Sequence, residues 1–222
     1  MDDKVETRSI IAVPMDIAGK MFAKKEKKDL LLIHGAWSTN TTFNYLLERL
    51  KSCKTLGNVL YADYDTHTHS VSDVVAHGTR LLEKATNPVV VVGHSMGGIA
   101  ALNFHDHPKV ESIVTVASPI DGLSLNRFLQ MFLTYRSPTL SDILHMSSYL
   151  LDTHDIKYTK PITCIVTTRG YNPAWYEKSD GVVPVSSQKR WVPDTARIHE
   201  VPYNHHEVLQ SPEFFEVVKE KM

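Results

Sequence analysis

A serine set between two glycines, Gly93-His94-Ser95-Met96-Gly97, follows four consecutive valines, Val89 to Val92, and precedes the small apolar run Ile99-Ala100-Ala101-Leu102. That order predicts a strand, a tight turn and a helix, with Ser95 at the turn. The glycines leave room that a Cβ would fill, so the hydroxyl stands clear above the end of a sheet. The following helix turns its first N–H groups and positive end toward the same spot, where an oxyanion formed by attack of Ser95 would be stabilised. The chemistry this points to is nucleophilic. A plainer reading is a glycine-rich turn without chemistry, against which stand the valine run in front and the helical pattern behind.

A serine hydroxyl is a weak nucleophile near neutral pH, so a base must take its proton and a third group must hold that base in the right tautomer. The segment Val201-Pro202-Tyr203-Asn204-His205-His206-Glu207 offers two adjacent histidines in the loop before the last helix. Neighbours in an extended loop point in different directions, so one of the two serves, and the residues alone leave both open. The carboxylate candidate is Asp180, in Ser179-Asp180-Gly181-Val182-Val183-Pro184, although Asp-Gly also favours a turn on its own account. Two N–H donors for the oxyanion are expected from Met96, directly after the serine, and from Ala36 in the His34-Gly35-Ala36 turn. Trp37, His94, Leu125, Phe128 and Leu129 are the expected lining of a substrate pocket, and His34 reads as a structural loop histidine.

These side chains must be brought together by elements that the hydrophobic pattern locates. Residues 30–33, 58–64, 89–92, 110–117, 161–167 and 197–201 read as strands, with 9–13 and 17–23 as a short antiparallel pair. A helix is expected over 42–51, with Phe43, Leu46, Leu47 and Leu50 on one face. Ser70 to Asp73 has the form of a capping box before apolar residues at Val71, Val74, Val75, Gly78, Leu81, Leu82 and Ala85, a helical spacing. Ser211-Pro212-Glu213 opens the final helix, with Phe214, Val217 and Val218 inward. Strands alternating with helices imply a mostly parallel sheet covered on both faces, whose ligands bind beyond the strands' C-terminal ends.

Residues 121–158 break the alternation with two apolar helical patterns and read as a small helical cap inserted into a single domain spanning 1–222. The apolar side chains of this cap suit an acyl pocket, or they simply pack the cap onto the core. The formal net charge is −1, with no basic stripe, which argues against a nucleic-acid partner. No apolar run is long enough to span a bilayer, and the charged N-terminus has no apolar region of a secretory signal behind it. Two cysteines do not make a disulfide framework, so a cytoplasmic location is expected. Neither metal nor cofactor is called for. His67, His69, Asp73 and His77 fail on metal-cluster spacing, because Asp73 stands four residues beyond His69.

The chain resembles the α/β-hydrolase superfamily, in particular small serine esterases and lipases. The resemblance runs from about Leu30 to the C-terminus. Its carriers are Leu31-Leu32-Ile33-His34-Gly35-Ala36-Trp37, Gly93-His94-Ser95-Met96-Gly97-Gly98, Ala117-Ser118-Pro119-Ile120-Asp121-Gly122, Ser179 to Pro184 and Asn204-His205-His206-Glu207-Val208-Leu209. It implies the α/β-hydrolase fold and the chain order Ser95, Asp180, His205 for nucleophile, acid and base. It favours His205 over His206, because lipase-like members place that histidine shortly before a leucine and a Ser/Pro turn. The implied activity is cleavage of a small-molecule carboxylic ester through an acyl-serine. The alternatives on the same scaffold are a lyase or thioesterase using the same three residues and a non-catalytic ligand-binding protein. Ile120 departs from the pattern, standing where the Thr-Pro-His turn of lipases has its histidine.

Overall fold

The computed structural model describes residues 26–123, 138–144, 156–173 and 177–222. The expected antiparallel pair at 9–13 and 17–23 lies outside the described residues. So does most of 121–158, including Leu125, Phe128 and Leu129.

Six strands form one sheet in the order β2-β1-β3-β4-β5-β6. They are β1 (Lys28–Ile33), β2 (Leu56–Tyr61), β3 (Val89–His94), β4 (Val110–Val116), β5 (Ile162–Thr167) and β6 (Arg197–Val201). Every pairing among them is parallel. A parallel sheet needs crossovers over its faces, and the helices supply them. They are α1 (Asn44–Leu50), α2 (Val71–Lys84), α3 (Met96–Leu102), α4 (Pro138–Asp142), α5 (Val185–Lys189) and α6 (Pro212–Lys221).

The strands are apolar on both sides because both sides are covered. Leu31, Ile33, Val89, Val91, Ile113, Cys164 and Val166 share one core with Val71, Val74 and Leu82 of α2 and Ile99 and Leu102 of α3. Their alternates Leu30, Leu32, Val90, Val92, Val114, Val116 and Ile165 share the other with Leu46 and Leu50 of α1 and Phe214, Val217 and Val218 of α6. The period of two along each strand thus sorts side chains between two helical layers.

Helix ends follow the local chemistry. Ser70 Oγ accepts the Asp73 N–H at 3.1 Å and Asp73 Oδ2 accepts the Ser70 N–H at 2.9 Å, the reciprocal cap expected for α2. Ser211 Oγ accepts the Phe214 N–H at 3.1 Å, with Pro212 opening α6. The helix expected over 42–51 is split into a tight three-residue-per-turn stretch, Asn40–Phe43, and α1. Strand β2 stops at Tyr61, short of the expected Tyr64, because Tyr64 turns inward to donate from its hydroxyl to the His34 carbonyl at 2.7 Å. Strand β4 stops one residue early as well, where Ala117 takes φ 51° and leaves the extended region.

Two polar anchors tie the layers together away from the core. Asp121, just after β4, accepts from Arg190 Nη1 at 2.8 Å and Trp191 Nε1 at 2.6 Å, fixing the root of the inserted segment to the end of α5. Asp29, fully buried at the start of β1, accepts from the N–H groups of Asn58, Thr86 and Asn87 and from the Asn87 side-chain amide. It pins the starts of β1 and β2 to the turn between α2 and β3.

Burial alone raises the Asp29 pKa, but the Asn87 amide and the three N–H groups outweigh it and hold the carboxyl below the ordinary carboxylate range. The stabilisation is therefore complete above the unfolded-state value of roughly 4 and is lost as pH falls through the folded value. In urea unfolding near neutral pH, Asp29→Ala should lower stability by about 3 kcal/mol, from several orphaned donors. The gap to the unsubstituted protein should narrow below about pH 4. A gap of constant size across that range would contradict the assignment.

Candidate active site

The strand order places β1 and β3 side by side, with the chain leaving β1 toward β2 on one flank and β3 continuing on the other. At such a switch point the loops beyond neighbouring strands part and leave a crevice. The turn after β1 carries His34, Gly35, Ala36 and Trp37, and the turn after β3 carries Ser95.

Ser95 has φ 54° and ψ −125°, a conformation costly for a residue with a side chain. It is imposed by close packing. A Cβ on Gly93 would collide with the Gly97 carbonyl, and one on Gly97 with the carbonyls of Ile33 and His34. Helix α3 therefore starts hard against β3 and β1, and the chain has no room for a wider turn. Ser95 heads α3, yet its hydroxyl does not cap the helix as a serine there usually does. Its Oγ lies instead 3.0 Å from His205 Nε2.

His205 comes from the loop after β6 and is 4 % exposed. Its Nδ1 is 2.8 Å from Asp180 Oδ2. A carboxylate only accepts, so Nδ1 carries the proton and Nε2 presents its lone pair to the Ser95 hydroxyl. The His205 N–H also donates to the Asp180 carbonyl at 3.2 Å, tying the two loops through the backbone. His206, left open by the sequence beside His205, is exposed and precedes the tight turn Glu207–Gln210. Its N–H donates to Asn204 Oδ1 and its ring meets the His205 ring edge-on at 5.1 Å.

Asp180 is buried beyond β5, and the two readings of Asp180-Gly181 coexist. Gly181 takes φ 96°, and Asp180 Oδ1 accepts the Val182 and Val183 N–H groups at 2.9 and 2.7 Å, closing the turn. The other oxygen serves His205 and also accepts the Thr167 hydroxyl at 2.5 Å. Burial raises the Asp180 pKa, but the bond to His205, the charge that ring carries when protonated, the Thr167 hydroxyl and the Val183 N–H together hold the carboxyl below the ordinary range. Gln188 of α5, itself buried, accepts the Thr167 N–H at 2.9 Å and donates to the Thr167 carbonyl at 3.0 Å.

The turn after β1 closes on the serine from the other side. A Cβ on Gly35 would lie 2.9 Å from Ser95 Cβ, so only glycine permits this approach. The turn is held at both ends by the loop after β2. Tyr64 bonds the His34 carbonyl and stacks on its ring at 4.2 Å, and the Trp37 N–H donates to Thr66 Oγ1 at 2.9 Å. Ala36 follows Gly35 directly. Met96 is the first residue of α3, and its N–H is one of those with no acceptor inside the helix. Trp37 is 57 % exposed, whereas His94, expected on the pocket wall, is 2 % exposed and turned away beneath His205. Burial, and then the charge on His205, push the His94 pKa down to about 3.

Thr167, Gln188, Tyr64 and Thr66 were not singled out by the sequence. The signal that finds them is spatial: each bonds a site loop from a distant element. The histidines weighed as metal ligands have other work. His69 Nδ1 lies 3.0 Å from Thr68 Oγ1, and His77 Nδ1 lies 3.1 Å from the Asp63 carbonyl.

Comparison with known proteins agrees with this architecture. The sequence model of the alpha/beta hydrolase family matches residues 30–215. No curated protein matches the sequence. Among solved structures, the lipase BlEst2 of Bacillus licheniformis in its mature form is similar at a TM-score of 0.68 and 12 % identity, covering 89 % of this chain and 93 % of that one. The monoacylglycerol lipase of Paleococcus ferrophilus is similar at a TM-score of 0.65 and 17 % identity, covering 87 % and 93 %. A lipase-esterase related protein from Clostridium acetobutylicum gives 0.59 and 14 %, covering 89 % and 93 %. At such identities the likeness carries the fold alone. With the family match spanning almost the whole chain and a parallel six-stranded sheet beneath it, this chain belongs to the alpha/beta hydrolase family.

Proposed function

We propose that the protein is a serine hydrolase that cleaves small-molecule carboxylic esters through an acyl-serine, with no metal or cofactor in the reaction. The observation that carries this reading is the relay itself: a serine forced to φ 54°, 3.0 Å from a histidine nitrogen whose partner nitrogen is 2.8 Å from a buried carboxylate. His205 Nε2 takes the Ser95 proton as Oγ bonds the ester carbonyl carbon and the carbonyl electron pair moves to oxygen. The Ala36 and Met96 N–H groups hold that oxyanion. As the pair returns, the bond to the alcohol breaks, and the departing oxygen takes the proton from His205. Water then repeats the sequence on the acyl-serine, His205 again accepting and returning the proton, and the acid leaves. Asp180 stays ionised throughout and stabilises the imidazolium.

The lipase and esterase neighbours support an ester as substrate, and Trp37, exposed on the turn beside Ser95, supports a role as pocket wall. A cytoplasmic setting is supported by the buried thiol of Cys164, whose pKa is pushed up to about 11 by burial. No helix among the described residues is long and apolar enough to cross a membrane.

On a p-nitrophenyl ester, Ser95→Ala and His205→Ala should each lower kcat by at least about 10⁴-fold, and Asp180→Asn by a similar factor, with folding unchanged. Activity of His205→Ala within tenfold of the unsubstituted protein would remove the base. A panel from acetyl to palmitoyl esters sets the acyl length, and reaction of short chains alone would mean a small closed pocket. The pH profile offers a separate check. Asp180 is held below the carboxylate range and His94 near 3, so neither takes up a proton between about pH 4 and neutrality. Neither should therefore add a step to the activity profile across that range, and a step there that is lost in His94→Leu would contradict the reading of His94.

A further inference from the structure

His94 is the buried titratable group closest to the reacting atoms that the mechanism above does not use. It is the last residue of β3, so its backbone is continuous with Ser95. Its Nε2 lies 2.9 Å from the carbonyl of His205, a residue 111 positions away. A carbonyl only accepts, so this nitrogen carries the proton and Nδ1 is bare. The bare nitrogen is buried with no hydrogen-bond partner, and a Cβ on Gly35 would lie 3.0 Å from it. One neutral ring thus touches all three turns that make the site: it is joined to the nucleophile, bonded to the base's own backbone, and seated against the turn that offers Ala36.

The His205 side chain bonds Asp180 and Ser95, its N–H bonds the Asp180 carbonyl, and its own carbonyl is held by His94, on the strand that leads directly into Ser95. Proton transfer between Ser95 and His205 depends on their alignment, and a misplacement of about 1 Å costs about 10²-fold in rate. Burying an acceptor such as Nδ1 unpaired is unfavourable, which a purely apolar side chain in that space would avoid. The donor at the opposite ring edge is what an apolar residue cannot supply.

We propose that His94 is a positioning residue whose Nε2–H grips the His205 carbonyl and sets the height at which the His205 ring meets Ser95, its bare edge fitting against the Gly35 turn. The proposal rests on the serine-hydrolase reading, and the test separates the two. His94→Leu removes the donor and His94→Gln restores one. On p-nitrophenyl acetate, His94→Leu should lose about 10²-fold in kcat with KM within about twofold, and its labelling by a fluorophosphonate should slow in proportion. His94→Gln should recover most of the loss. Unchanged kcat in His94→Leu, or a His94→Gln as impaired as His94→Leu, would overturn the proposal while leaving Ser95 as nucleophile. An unsubstituted protein that neither turns over esters nor takes the label would overturn the serine-hydrolase reading and this proposal with it. Nitrogen NMR of the histidine rings in the unsubstituted protein requires no variant to fold. It should find His94 neutral with its proton on Nε2, and a proton on Nδ1 alone would also overturn the proposal.

Discussion

The whole site depends on how closely three backbones approach at one point. Strand β3, helix α3 and the end of β1 meet where Gly93 and Gly97 have no side chains, with the Ile33 and His34 carbonyls against Gly97. Nothing larger fits, so the chain reverses within a single residue, and Ser95 accepts the strained φ that results. A residue in such a region costs about 1–3 kcal/mol, which the two fully packed cores on either side of β3 offset. The same approach brings the Gly35 turn against the serine, so the proposed nucleophile and the proposed oxyanion turn are set by one packing constraint.

The second requirement is electrical. A carboxylate buried as deeply as Asp180 would take up a proton unless its ionised form were held, and five donors hold it: Thr167, Val182, Val183, His205 and, more distantly at 3.5 Å, Gln188. Gln188 matters chiefly because it bonds both the N–H and the carbonyl of Thr167, so the end of β5 and helix α5 cannot drift apart. The bonds of Asp121 to Arg190 and Trp191 extend that frame to the root of the inserted segment. Positioning of Asp180 is thereby coupled to the packing of α5.

How much of this the chain reveals unaided depends on the range of each interaction. The turn at Gly93-His94-Ser95-Met96-Gly97 was legible because sterics between near neighbours dictate it, and so were the caps at Ser70 and Ser211. The two-faced sheet was legible from runs of branched apolar residues such as Val89 to Val92. Asp180 and the His205-His206 pair were legible only as loop residues after particular strands. Choosing His205 needed the resemblance, since the two histidines differ in orientation rather than type. His94 was read as pocket lining, and its burial under His205 came from contacts across 111 residues that no local pattern encodes. Thr167, Gln188, Tyr64 and Thr66 were silent for the same reason: a threonine at a strand end is commonplace until its partner is seen. Strand β2 ended early because Tyr64 was needed at His34, a tertiary bond overriding an extended sequence.

The account's central claim is that Ser95, and no other residue, is activated by this geometry. Incubating the intact protein with a fluorophosphonate and mapping the adduct by peptide mass spectrometry tests it most directly. The account predicts one adduct per chain, carried on Ser95, absent from Ser95→Ala and suppressed in His205→Ala. Folded protein that takes no label, or an adduct carried on another residue, would contradict it.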